Sequence, residues 1–347
     1  MRSLSLLRQG SGLSERDDFD KWIVPPLREP VLLKNLRRFR LRLRESGEPP
    51  EDFDFILKAV VDGCPLLEYL SIDIAENRGN QRAIPFIVIL NGSWLFLKIM
   101  QFCQLPSEVD GRRPGSHISL LEDFIRRHPS LEAISFPWSA QFLANVRLSQ
   151  LLPRPKSFDV PMLPLKKTLA VLSTEVLGRL TNLSTHIRGQ DLFLLDRLRN
   201  VQYLSVAILL TRIPTLVDNI PNLVGLRLMM RSLDTTEMTK GEILDPIVKQ
   251  LARLSSLKYF SIDGWGLCEL FGRDFYVSST VPDFAERTSV EYIRIYDLQM
   301  AKTGRFWPWY RILRNSQGKY TGNKLMRNRG PTAHKEIGLG YDDEPLR

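Results

Sequence analysis

Tyr69, Tyr203, Tyr259 and Tyr292 occupy the same place in a phrase that recurs along this 347-residue chain, immediately before its second apolar position. A tyrosine offers a flat apolar ring and a hydroxyl, and with arginine it dominates the energetic centres of protein interfaces. Asp73, Arg227, Asp263, Arg294 and Tyr296 fall at neighbouring outward places of the same phrases. A second group is the segment Arg38-Phe39-Arg40-Leu41-Arg42-Leu43-Arg44. In an extended chain its apolar residues face one way, and Arg38, Arg40 and Arg42 face the other as a cationic row. Guanidinium forks match carboxylates and phosphates. The favoured reading of the row is an edge strand charged against edge-to-edge pairing. The tyrosine column points to recognition of a macromolecule rather than to bond making; the alternative is that tyrosine simply fills those places, half packed on its neighbour, with no partner.

Catalytic patterns are missing. No phosphate-cradling G-x-x-x-x-G-K-[ST] and no G-x-S-x-G elbow occurs, and Gly264-Trp265-Gly266 lacks the third glycine of a dinucleotide fingerprint. The histidines (His117, His128, His186, His334) form no H-x-x-x-H pair, and Cys64, Cys103 and Cys268 are too scattered for a metal framework or a disulfide scaffold. No enzyme activity, cofactor or metal is expected.

The elements that would position the tyrosines follow from the repeat. The phrase is L-x-x-L-x-L-x-L, other apolar residues being allowed. It starts near Leu36, Leu67, Leu97, Leu131, Pro155, Leu180, Val201, Leu223, Leu257 and Val290, at spacings of 21 to 34 residues. Its second half alternates, as a strand with one buried face must. Between phrases, helical stripes run over Asp52–Val61, His117–Arg127 and Glu242–Leu254. Cys64-Pro65, His128-Pro129 and Ile220-Pro221 mark helix ends, because proline biases its predecessor to extended backbone. Strand, helix and strand at this period predict an α/β fold: a right-handed solenoid with a parallel sheet on its concave face and helices outside.

The runs Cys64-Pro65-Leu66-Leu67-Glu68-Tyr69-Leu70-Ser71-Ile72, His128-Pro129-Ser130-Leu131-Glu132-Ala133-Ile134-Ser135-Phe136 and Ser255-Ser256-Leu257-Lys258-Tyr259-Phe260-Ser261-Ile262 resemble leucine-rich repeats of the F-box and ribonuclease-inhibitor type. Their irregular spacing is similar to that of F-box-like proteins abundant in fungi. The resemblance implies a horseshoe that recognises a substrate for a ubiquitin ligase. Residues 1–30 lack the length and pattern of an F-box, so a cullin-ligase adaptor is an expected partner only if an F-box exists elsewhere.

Charge divides the chain further. The total is +9, yet 28–44 carries +6, 302–347 another +6 and 45–301 a net −3. Charge therefore marks two ends instead of a nucleic-acid surface, and nucleic acid is not an expected partner; an anion-binding module built on the two basic ends is the alternative. The expected organisation is an extended lead-in at 1–30, about ten repeat units over 31–314, and a basic, disordered tail at 315–347. The aromatic run Phe306-Trp307-Pro308-Trp309-Tyr310 is expected to plug the last unit. Neither a secretory leader, which needs ~7–15 continuous apolar residues, nor a membrane span is legible. A cytoplasmic or nuclear protein binding an unidentified protein partner is the reading.

Overall fold

A computed structural model describes residues 3–9, 33–44, 53–74, 86–102, 115–135, 156–172, 174–230, 240–264, 280–297 and 309–326. All ten phrases become strands: β2 (Arg38–Arg44), β3 (Tyr69–Ile74), β4 (Ile99–Phe102), β5 (Ala133–Ser135), β6 (Ser157–Pro164), β7 (Asn182–His186), β8 (Tyr203–Ala207), β9 (Gly225–Met230), β10 (Tyr259–Gly264) and β11 (Tyr292–Asp297). Outside the phrases lie β1 (Ser3–Gln9), β12 (Trp309–Arg314) and β13 (Tyr320–Met326). The fold is mixed α/β, with one 13-stranded sheet whose order follows the chain from β1 to β13. No helix among the described residues is long and apolar enough to cross a membrane.

Two compact units divide the chain: 1–158 with 171–176, and 159–170 with 177–347. In the first, β1 to β5 pair in parallel, joined by α1 (Phe53–Gly63), α2 (Phe86–Leu90) and α3 (Gly115–Arg127). Strand residues of one parity (Phe39, Leu41, Leu70, Ile72, Met100, Ile134) are buried, as are helix residues Ile56, Leu57, Val60, Leu121, Phe124 and Ile125. These are the two periodicities the sequence displays, closed on one core.

In the first unit four phrases are preceded by a tight turn that the sequence pattern did not reveal. The first leucine's N–H bonds the carbonyl three residues earlier: Leu36 to Leu33, Leu67 to Cys64, Leu97 to Trp94, Leu131 to His128. Those earlier residues are all buried, whatever their type. Two N–H groups then donate to one carbonyl of the previous strand's entry, as Glu68 and Tyr69 do to Arg37, and Lys98 and Ile99 do to Glu68. The side chains at these entries alternate in sign: Arg37 bonds Glu68 at 2.5 Å, and Lys156 bonds Glu132 at 3.0 Å. Exposed pairs of this kind are worth about 0.2–1 kcal/mol each, so they tune neighbour pairing rather than hold the fold.

In the second unit, β7 to β11 pair in parallel. Between them run a 3-10 helix (Gly189–Leu198), α6 (Ile213–Asn219), α7 (Lys240–Leu251) and α8 (Thr280–Arg287); α4 (Leu165–Val171) and α5 (Thr174–Arg179), which come earlier in the chain, are each divided between the two units. Phe260 of β10 stacks on Phe284 of α8 at 5.3 Å, which ties strand to helix directly. α8 and the 3-10 helix were not legible in the sequence. α7 keeps Pro246 inside it, a residue that ordinarily breaks helices, with Leu244, Ile247, Val248 and Leu251 buried beside it.

Three expectations are corrected. β1 pairs along its whole length with β2, so residues 3–9 belong to the sheet, and the arginine strand is not an edge. The edge-protection reading of Arg38, Arg40 and Arg42 therefore fails. At the other end, residues 315–326 are ordered: β12 and β13 form an antiparallel hairpin. The Gly and Asn content read as disorder is turn chemistry. Asn315 Oδ1 accepts from the N–H groups of Gln317 and Lys319, and Gly318 takes φ +76°, a conformation other residues resist. Of the expected aromatic plug, Trp309 and Tyr310 lie in β12, Trp309 buried; Phe306, Trp307 and Pro308 lie outside the described residues.

Candidate functional site: a strand face of the second unit

Because side chains alternate along a strand, the residues not committed to the core form rows across neighbouring strands. The register of β7 to β11 gives the first row as Asn182, Tyr203, Gly225, Tyr259, Tyr292. Gly225 decides its geometry. A Cβ there would lie 2.5 Å from Tyr203 Cδ1, so the missing side chain is the space into which the Tyr203 ring leans. Tyr203 thereby comes within 6.3 Å of Tyr259 although β9 lies between their strands, and Tyr259 stacks on Tyr292 at 5.2 Å with planes 19° apart. Three rings thus run side by side, each half-buried. Burial, and then the neighbouring phenols and Glu291, push the Tyr259 hydroxyl above the ordinary phenol range, keeping it a neutral donor.

Alongside this ladder the second row is polar, and all of it but Arg227 is buried. The second runs Ser184, Ser205, Arg227, Ser261, Arg294, and Asp263 stands in the third. Arg227 donates from Nε to Asp263 Oδ2 at 2.7 Å, and its Nη2 donates to the same oxygen. Ser261 donates to Asp263 Oδ1 at 2.8 Å, Arg294 Nη2 lies 3.8 Å from that oxygen, and Arg294 Nε reaches Ser261 Oγ at 3.2 Å. The Arg294 guanidinium also sits 5.2 Å over the Trp309 ring, a cation–π contact. Removing one partner of such a buried pair costs about 3–5 kcal/mol, because the other charge is stranded. The cluster therefore fixes β9, β10 and β11 side by side and holds the neighbouring tyrosines in register.

The structure sorts the residues singled out in the sequence. Tyr203, Tyr259 and Tyr292 come together as one surface. Asp263 and Arg294, expected outward and accessible, are buried at 1 % and 5 % exposure. With the partly exposed Arg227 they act as the ladder's support. Tyr69 belongs to the first unit, where its hydroxyl donates to Gln101 Oε1 at 2.8 Å. Arg38 and Arg40 share that unit: Arg38 is exposed and next to Tyr69 in register, Arg40 half-buried next to Ser71. Arg42, Asp73 and Tyr296 hold strand positions, but their side chains lie outside those described. Sequence reading missed Gly225, Ser205 and Ser261, and expected Trp309 only as part of a plug on the last unit. Gly225 carried a usable signal, since a glycine stands in the tyrosine column between two tyrosines.

Among the described residues no group of three or more His, Cys, Asp or Glu could hold a metal ion. Cys64, the free cysteine described, is buried in the first unit with its thiol pushed up to about 12 by desolvation, which leaves it protonated and unreactive. Comparison of the chain with protein-family models and with curated proteins finds no match.

Proposed function

We propose that this protein is a leucine-rich-repeat solenoid that recognises a protein partner, without catalysing a reaction, through the strand face carrying Tyr203, Tyr259 and Tyr292. The stacked tyrosine ladder carries this reading. Three amphipathic rings held half-exposed by a buried ion-pair cluster are preorganised contact area, and preorganisation lowers the entropy cost of binding. The likeness of the repeat runs to F-box-type proteins favours a role like that of the substrate-recognition part of a ubiquitin ligase. Membership of a ligase depends on an F-box elsewhere.

The test is affinity purification of the tagged full chain from its own cells beside Tyr259→Ala and Arg38→Glu variants, with mass spectrometry of what is retained. A partner held by the wild type and by Arg38→Glu, and depleted at least tenfold by Tyr259→Ala, supports the reading. Truncating a central interface tyrosine costs about 2 kcal/mol or more, which corresponds to that depletion. Retention unchanged by Tyr259→Ala but lost in Arg38→Glu would move the function to the basic end.

A further inference from the structure

The tyrosine row does not stop at Tyr292. Antiparallel pairing of β11 with β12, and of β12 with β13, carries it on to Arg311 and then to Lys324. Both side chains therefore stand beside the ladder on the same face of the sheet. Both are exposed, and among the described residues neither side chain forms an ion pair or a hydrogen bond. Like charges directly opposite each other on antiparallel strands are destabilising. Edge protection accounts for a lysine on β13, the last described strand, but not for Arg311, which lies between two strands. The stability of the fold gives no reason for the pair.

The described carboxylates nearby are all engaged or turned away. Asp263, on this face, is matched by Arg227 and Arg294. Glu291, at the entry of β11, lies 3.6 Å from Lys258. Asp283 and Glu286 belong to α8, whose Phe284 packs on buried Phe260 at the core side of the sheet. In the sequence, 298–335 carries nine Lys and Arg and no Asp or Glu, so the surplus at this end of the row is local. The rings limit what can lie across it. Tyr259 is flanked by Tyr203 and Tyr292 with ring faces turned to one another, so the row presents edges and hydroxyls. Among the described residues the Tyr259 and Tyr292 hydroxyls have no hydrogen-bond partner. Bases of single-stranded nucleic acid need open ring faces, which are lacking here. Carbonyls and carboxylates of a peptide need hydroxyl donors and guanidinium forks, which are present.

We infer that the partner segment held at the tyrosine row is an extended acidic peptide. Its Asp or Glu side chains meet Arg311 and Lys324, and the rest of its length crosses Tyr292, Tyr259 and Tyr203. From β8 to β13 there are five strand spacings, about 24 Å at ~4.8 Å each, a span that about seven extended residues cover. Charge complementarity supplies the choice of partner, and the tyrosines supply the contact area. This inference rests on the proposed role of the tyrosine face and names the chemistry of what that face holds.

The test uses the full chain and two phage-displayed pools of linear peptides, random except for a terminal triplet that is Glu/Asp in one pool and Lys/Arg in the other. The acidic pool is expected to enrich at least tenfold over the basic one. That enrichment should be lost on Arg311→Glu with Lys324→Glu and on Tyr259→Ala. It should survive Lys34→Glu with Lys249→Glu, which makes the same change of net charge away from the row. Circular dichroism and melting temperature check each fold, and Arg311→Gln with Lys324→Gln replaces the reversed pair should that variant unfold. Equal enrichment of the two pools, or enrichment that survives loss of the two cations, overturns the inference. Enrichment that falls with Tyr259→Ala alone keeps the tyrosine face as the binding face and overturns only its acidic occupant. Enrichment that falls with the cation variants alone puts binding off the tyrosine row and overturns both. Tighter retention of single-stranded oligothymidine than of the acidic pool makes nucleic acid the occupant and overturns the inference. So does acidic-pool binding seen only in a chain ending at Met326, which would make this chain's own Asp342-Asp343-Glu344 the occupant.

Discussion

At the scale of single residues, His128 shows how a position that reads as a possible ligand becomes a core residue. It fills the buried turn place that Leu33, Cys64 and Trp94 fill in neighbouring repeats of its unit. Its Nε2 accepts the Trp94 N–H at 2.9 Å, and its Nδ1 faces the Phe124 carbonyl at 2.6 Å. A carbonyl only accepts, so Nδ1 carries the proton and the ring is neutral. Desolvation holds its pKa below the usual imidazole value; the Phe124 hydrogen bond opposes this and the charge of Arg127 adds to it. A histidine with a depressed folded pKa stays unprotonated where the unfolded chain takes a proton. Its contribution is therefore complete above about pH 6.5 and is lost as pH falls below it, at up to about 1.4 kcal/mol per pH unit. Urea unfolding between pH 7.5 and 5.5 should show stability falling with pH in the wild type, and a shallower fall in His128→Gln whatever that variant's absolute stability. Equal slopes would mean that the ring takes up its proton alike in the folded and the unfolded chain.

At the scale of elements, β9 is defined by what it lacks. Glycine in a strand interior ordinarily weakens it, having no side chain to pack. Gly225 instead makes room for Tyr203 to cross its strand and approach Tyr259. Gly225→Ala should therefore displace the Tyr203 ring and cost about 1–3 kcal/mol, the usual range for overpacking. In a Tyr203→Ala background the same change should be neutral or stabilising by a few tenths of a kcal/mol, since alanine constrains the unfolded chain. A double-mutant cycle by denaturant unfolding reads the coupling directly; additive effects would show that the ring does not need the gap. The ten repeat strands were plain in the sequence, because alternation such as Phe39-x-Leu41 and Leu70-x-Ile72 has one physical solution, whereas β1, β12 and β13 lie outside the repeat and were not. The face of β9 to β11 was not. An outward place does not say whether a charge meets solvent or, like Asp263, meets two arginines from adjacent strands. α8 stayed hidden because Pro282 and a single turn-and-a-half of apolar spacing (Val281, Phe284, Ala285) give too little periodicity to separate it from loop.

At the scale of the whole molecule, a sheet ordered as the chain is ordered must end somewhere, and its described end is built differently from its middle. The repeats stop at β11, and the chain reverses to add β12 and β13 antiparallel. This hairpin is anchored at three points on the last repeat. Ile312 N–H bonds the Glu291 carbonyl, which holds the entry place of β11. Arg314 Nη2 donates to the Thr288 carbonyl at 2.7 Å, beyond the end of α8. Trp309 packs over Arg294, and so shields one side of the cluster beside the tyrosines. Terminal repeats have an exposed neighbour-facing core and need such a cover. A chain ending at Pro308 should thus lose stability and the order of the tyrosine face together, whereas a chain ending at Met326 keeps both. If the hairpin contributes about 2–3 kcal/mol, the shorter chain should melt roughly 5–10 °C below the longer, at the ~2–4 °C per kcal/mol usual for domains of 150–250 residues. Tyrosine near-ultraviolet circular dichroism should weaken with it, because Arg294 no longer has its aromatic neighbour to hold β11 against β10. Equal melting of the two chains would show that the last repeat closes without its hairpin. Loss of melting temperature with an unchanged tyrosine signal would show that the cover protects the core but does not organise the tyrosine face.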